Sequence, residues 1–130
     1  MDILGRETAP RYKRDDVTSY LLVSERTTGS QKLTVTLVEM APGGIQHLHA
    51  HEPEQAYYIL EGRGTMTVDG ERKTVQAGDS IFFDSFAEHG LENTGDGTLR
   101  YLSTASPSFT AEESERLWPL PSLREGSDDV

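Results

Sequence analysis

Between residues 18 and 105 the chain is a succession of short runs of β-forming residues, each cut by a turn signal. KLTVTLVEM (residues 32–40) alternates small polar and apolar residues and stops at APGG. TSYLLVSE precedes Gly29-Ser30, and IQHLHAH continues in an extended pattern. QAYYILEG is rich in aromatic and branched residues. GTMTV and RKTVQ flank Asp69-Gly70, a pair that suits a type I′ hairpin because both turn residues must tolerate positive φ. SIFF follows Gly78-Asp79, and TLRYLST follows NTGDG. Many short strands with almost no helical periodicity predict an all-β sandwich or barrel.

The two ends read differently. Residues 1–17 are polar, contain Pro10, and are expected to form an arm or a short edge element beside a barrel spanning 18–105. Residues 106–130 form a separate tail. Within it Thr110 and Glu113 are spaced as a capping box, which predicts a short helix over AEESERL ending before Pro119. Trp118 and Leu120 then need cover, from the barrel itself or from a neighbouring subunit, and the residues from Glu125 on are expected to be disordered.

Composition narrows the function. The 130 residues suit one domain, and the lack of cysteine excludes disulfides, thiolate ligands and thiol nucleophiles. The formal net charge is −10 with a pI near 4.7, and there is no Lys/Arg stripe to neutralise phosphate, so no nucleic-acid partner is expected. No stretch reaches the ~20 apolar residues that span a bilayer. The opening MDILGRETAPRYKRDD lacks a basic segment followed by an apolar run, so the expectation is a cytoplasmic protein. EGRGTMTVDG reads as a hairpin, not a phosphate loop, and no serine-nucleophile motif is present.

Chemistry should therefore run through the histidines. Three of the four, His47, His49 and His51, fall on alternate positions and would share one strand face. Gln55, Tyr57 and Ile59 continue that parity if no bulge intervenes, and Pro53 marks a bend or edge between the runs. A barrel can return the distant His89 to the same interior, and neutral imidazole suits borderline divalent metals. On spacing alone, an exposed polar face is as good a reading as a metal site.

At these residues the chain resembles a small single-domain cupin. The family's first motif places glycine, His-x-His, Glu and glycine at Gly43, His49, His51, Gln55 and Gly62. Its second motif places glycine, Pro-x-Gly, His and Asn at Gly78, Asp84-Ser85-Phe86, His89 and Asn93. The resemblance implies a jelly-roll β-barrel with a short C-terminal helix and one divalent transition metal, of the set Fe, Zn, Ni, Mn or Co, held by His49, His51 and His89. It also implies a homodimer. Three positions depart from the pattern: Gln55 for the glutamate, Asp84 for the proline and Phe86 for the glycine.

Gln55 alters the chemistry most, because an amide brings a dipole where a carboxylate would bring a charge. It could be a weak ligand or hydrogen-bond a metal-bound water; Glu52 and Glu54, on the opposite parity, rank below it. His47 could be a base near the substrate or a rim histidine, and Tyr57 a substrate hydrogen-bond donor or core filler. Ile59, Met66, Phe83 and Phe86 are further candidates to line the pocket, with filling of the barrel as the alternative. The expected function is a metal-dependent enzyme acting on a small organic substrate, anionic ones included. Dioxygenase chemistry is placed ahead of lyase, isomerase or decarboxylase chemistry, and a non-catalytic metal- or ligand-binding cupin is the other class.

Overall fold

Burial alternates residue by residue along the predicted runs. In β5 (Glu54–Glu61) Gln55, Tyr57 and Ile59 are buried while Glu54, Ala56 and Tyr58 are exposed, as two-residue strand periodicity requires. The computed structural model describes residues 1–118. The strands before β5 are β1 (Arg11–Arg14), β2 (Val17–Val23), β3 (Thr34–Met40) and β4 (Ile45–His49). After it come β6 (Arg63–Val68), β7 (Glu71–Gln76), β8 (Ser80–Phe83), β9 (His89–Glu92) and β10 (Leu99–Ser106).

These form two antiparallel sheets, one in the order β1-β2-β3-β10-β5-β8 and the other β4-β9-β6-β7. The non-consecutive neighbours are those of a jelly roll, and the main core lies between the sheets. Met40, Ile59 and Leu99 are completely buried there, beside Met66, Phe83, Leu91 and Tyr101. Of the residues expected to line a pocket, Ile59, Met66 and Phe83 are thus core residues. Phe86 is the exception, 67% exposed, and it holds φ 63 at the position where the family motif has glycine.

The turns follow their chemistry. Asp69 and Gly70 take φ 47 and φ 84 and join β6 to β7 in the expected hairpin. Residues 11–14 form an edge strand paired with β2. HGLE, which the sequence pattern does not single out, is the strand β9, because its register is supplied by β4 and β6 on either side.

The tail helix α1 (Ala111–Leu117) covers the predicted residues. Its capping box is complete: Thr110 Oγ1 accepts from Glu113 N at 3.1 Å, and Glu113 Oε1 accepts from Thr110 N at 2.9 Å. Trp118 is buried in its own chain against Phe109, Leu21 and Ala105, so it does not await a neighbouring subunit. Arg26 fastens this end, donating to Trp118 O and to Glu115 Oε2, both at 2.9 Å. Pro119, Leu120 and the residues from Glu125 on lie outside the described residues.

Gly62 joins β5 to β6 with φ 85, and a Cβ there would fall on the Thr98 carbonyl. Gly62→Ala is expected to cost about 2 kcal/mol through the left-handed backbone and the clash. Urea unfolding measures it; an unchanged midpoint at unchanged slope would refute the clash.

Candidate metal centre

A strand pair and a turn assemble the histidines. His49 ends β4 and is the register partner of His89, the first residue of β9. Between Gln46 and His49 the chain advances three residues while β9, from Leu91 to His89, advances two. This β-bulge interrupts strict alternation. Gly90 permits it, since a Cβ there would meet Gln46 O at 2.8 Å.

His51 lies beyond the end of β4, outside the extended strand the sequence suggests. Its carbonyl accepts from Phe86 N at 2.7 Å, which ties its loop to the turn before His89. Three imidazoles meet here: ring centroids are 4.2 Å apart for His49 and His89, 4.9 Å for His51 and His89, and 5.4 Å for His49 and His51. One ligand atom from each lies within 4.8 Å of the others.

Each ring is aimed in the same way. Nδ1 of His49 lies 2.8 Å from His47 O, Nδ1 of His51 lies 3.0 Å from Pro53 O, and Nδ1 of His89 lies 2.9 Å from Ala87 O. A carbonyl can only accept, so each Nδ1 carries the proton and each Nε2 presents a lone pair. His51 Nε2 and His89 Nε2 are buried without a hydrogen-bond partner.

Gln55 joins them. Its Nε2 donates to Ser103 Oγ, and its Oε1 is the third buried polar atom of the group without a partner. Serine at 103 is a residue that sequence reasoning missed, because its role depends on β10 lying beside β5, where Ser103 is paired with Tyr57. Buried acceptors left bare are costly, and a cation among them satisfies all at once. The residues present therefore fit a divalent metal, and three histidines could hold it.

Burial sets the protonation states. It lowers the pKa of His49 and of His51, with His49 a further lowering influence on His51. His89 is lowered to about 3, chiefly by burial. All three are thus neutral near pH 7, the form that binds metal.

Beside the triad is a cavity of about 100 Å³ whose lining includes His47, His49, Gln55, Tyr57 and Ser103. His47 is exposed, stands at this rim, and contributes its carbonyl to His49 while its ring stays outside the triad. Tyr57 is buried, lines the cavity and packs its ring 4.4 Å from Tyr101, so it fills core and faces the pocket together. Burial raises the Tyr57 hydroxyl pKa, which keeps the proton on it. Glu52 and Glu54 are exposed. Phe109 packs edge-on against His51 at 4.8 Å, and Leu117 and Trp118 of the helical end line the cavity as well.

The depressed histidines make metal-free stability depend on pH. In the unfolded chain these imidazoles take up protons below about pH 6.5, whereas the folded ones resist, so stability falls as pH drops through that value. With His89 lowered to about 3, its share of the loss is about 2 kcal/mol near pH 5. Urea midpoints of metal-free protein between about pH 7 and 5 should fall, and His89→Gln should flatten the slope; equal slopes would contradict the burial argument.

The family model described as Cupin domain matches residues 36–105. An oxalate-binding protein of Thermotoga maritima is 35% identical over 83 residues, 63% of this chain and 69% of that protein. The dimethylsulfoniopropionate lyase DddW of Ruegeria pomeroyi is 30% identical over 110 residues, 85% of this chain and 71% of that protein. The crystal structure of a predicted oxalate decarboxylase from Thermotoga maritima superposes with TM-score 0.73 at 28% identity, covering 82% of this chain and 99% of that one. Jelly-roll sheets, a matching family model and imidazoles converging from both motif segments together make this chain a member of the cupin family.

Proposed function

We propose that this cupin is a metal-dependent enzyme of lyase or decarboxylase type, acting on a small organic anion in the cavity beside the three histidines. The observation that carries the reading is the set of buried acceptors, His51 Nε2, His89 Nε2 and Gln55 Oε1, left without partners beside that cavity. A bound divalent transition metal would supply Lewis-acid polarisation of a carbonyl or carboxylate or, with a redox-active ion, dioxygen chemistry.

The residues divide the remaining work. His49, His51, His89 and Gln55 are neutral donors, so the groups that would hold the cation set no negative charge against it, and the site favours an anionic substrate. Gln55 is held in orientation by Ser103. Tyr57 keeps its proton and can donate a hydrogen bond to a substrate oxygen. His47 stands at the rim of the cavity, where it is the base nearest to an entering substrate.

Lyase or decarboxylase chemistry is placed first because the similar proteins carry the names lyase, oxalate-binding protein and predicted oxalate decarboxylase. A dioxygenase is the second reading, since a histidine donor set also suits Fe²⁺. For the homodimer, Trp118 gives no support. We place the second copy on the six-stranded sheet, where Tyr58, Leu60 and Phe82 are 48%, 45% and 60% exposed on one face.

Tag-free protein, analysed for metals, should carry about one transition-metal ion per chain, lost in His89→Ala. Small carboxylic acids should be turned over without oxygen uptake at an electrode. Oxygen consumption would select the dioxygenase reading, and metal-free protein that takes up no ion would overturn both. Gln55→Glu should tighten Mn²⁺ or Mg²⁺ at least about tenfold by adding a hard, charged donor; unchanged affinity would remove Gln55 from contact with the ion. Sedimentation should show a dimer that Phe82→Glu dissociates; a monomer before substitution would end the dimer proposal.

A further inference from the structure

The β1–β2 hairpin brings a second kind of chemistry to the cavity. Tyr12, Arg14 and Asp15 line it together with His47, His49, Gln55 and Tyr57. Arg14 ends β1, where it is paired with Val17. The hairpin's tip is fastened to the chain beyond β3, because Ala41 N donates to Asp16 O at 2.9 Å. The guanidinium is therefore carried on sheet structure and not on a free loop.

Arg14 is exposed, at the mouth of the cavity, and is held within the chain along one edge of its guanidinium. Nε and Nη2 of Arg14 both donate to Tyr12 Oη, at 3.2 and 3.1 Å, and the guanidinium carbon lies 5.6 Å from the centre of the Tyr12 ring. Arg6, Arg26, Arg100 and Arg116 each face a carboxylate. Among the described residues Arg14 has no carboxylate at ion-pair distance, although Asp15 is its neighbour and lines the same cavity. A guanidinium has five N–H donors, so the edge turned away from Tyr12 keeps a fork of donors that matches a carboxylate. Tyr12 Oη, accepting from Arg14, retains its own proton to donate to the same ligand.

We propose that Arg14, braced by Tyr12, is the carboxylate-recognising residue of this pocket, so that the substrate is a small acid gripped by Arg14 while another of its groups faces the histidines. The inference rests on the metal reading above and adds the charge and size of the substrate. Size follows from the cavity of about 100 Å³. An engineered cavity of about 150 Å³ admits benzene, a ring of six carbons, so this one, open on one side, encloses about four non-hydrogen atoms of a bound acid, the rest reaching the mouth where Arg14 stands.

The test uses full-length, metal-loaded protein and titration calorimetry. The probes are oxalate and pyruvate, and the neutral butane-2,3-dione serves as a diketone of similar size. Arg14→Gln is expected to weaken the two acids at least about tenfold, leave the dione unchanged and leave the metal content at its original value. The cation also gives acid binding a salt dependence, so the slopes are compared: added salt should weaken the acids less in Arg14→Gln than in the unaltered protein and leave the dione unaffected in both. Equal losses for charged and neutral probes, or acid affinity and salt slope that Arg14→Gln leaves unchanged, would overturn the proposal with the metal site intact. A chain that binds no metal would instead fail the reading beneath it, and the metal assay separates the two failures.

Discussion

Each of the three site histidines donates its Nδ1 proton to a backbone carbonyl two residues away, and from that constraint the rest of the site follows. It fixes the tautomer, so a bare Nε2 lone pair is presented by every ring. The backbone is then obliged to deliver those lone pairs to one place. The bulge between Gln46 and His49, the glycine opposite it at 90, and the tie from Phe86 N to His51 O are the features that do so. An imidazole without such a partner could rotate or move its proton, and a cation would have to organise it on binding.

Burial and neutrality reinforce one another. Core packing against Phe83, whose ring centroid is 4.0 Å from that of His89, removes water from the imidazole and makes its protonation costly. The same packing leaves the unpaired acceptors beside a small cavity, with Phe109, Leu117 and Trp118 on its wall. Gln55 belongs to this logic. An amide can satisfy Ser103 with its nitrogen and still direct an oxygen toward the histidines, adding no charge of its own. Positive charge at the cavity therefore has two sources of different character: whatever cation the histidines hold, and the guanidinium of Arg14 at the mouth.

Charge is handled differently on the outside of the molecule. Glu39 gathers Arg6, Arg100 and the Tyr20 hydroxyl on the six-stranded sheet, and hydrogen bonding to Arg6 holds its carboxyl below the usual range. This network holds the N-terminal segment near Ala9, Tyr20 and Leu37, a second apolar cluster. The acidic composition is thus largely a surface property, consistent with a lining in which Asp15 is the one carboxylate among the described residues.

The strands were legible from the chain because their signals are local: alternation, branched residues and turn pairs such as Asp69-Gly70 act within a few residues of themselves. The same holds for the capping box and helix at 110–117 and for the His-x-His spacing. Parity also placed Gln55, Tyr57 and Ile59 correctly on one buried face, because β5 is regular. It could not treat His47, His49 and His51 alike, because the bulge owes its place to Gly90 on another strand. The cover that Leu21 gives Trp118, the role of Ser103 and the pairing of β9 depend on residues distant along the chain or on strands that flank from both sides. Arg14 was read only as part of a polar arm. Its place on the cavity wall is decided by hairpin pairing and by the closure of one sheet over the other, which local pattern does not encode.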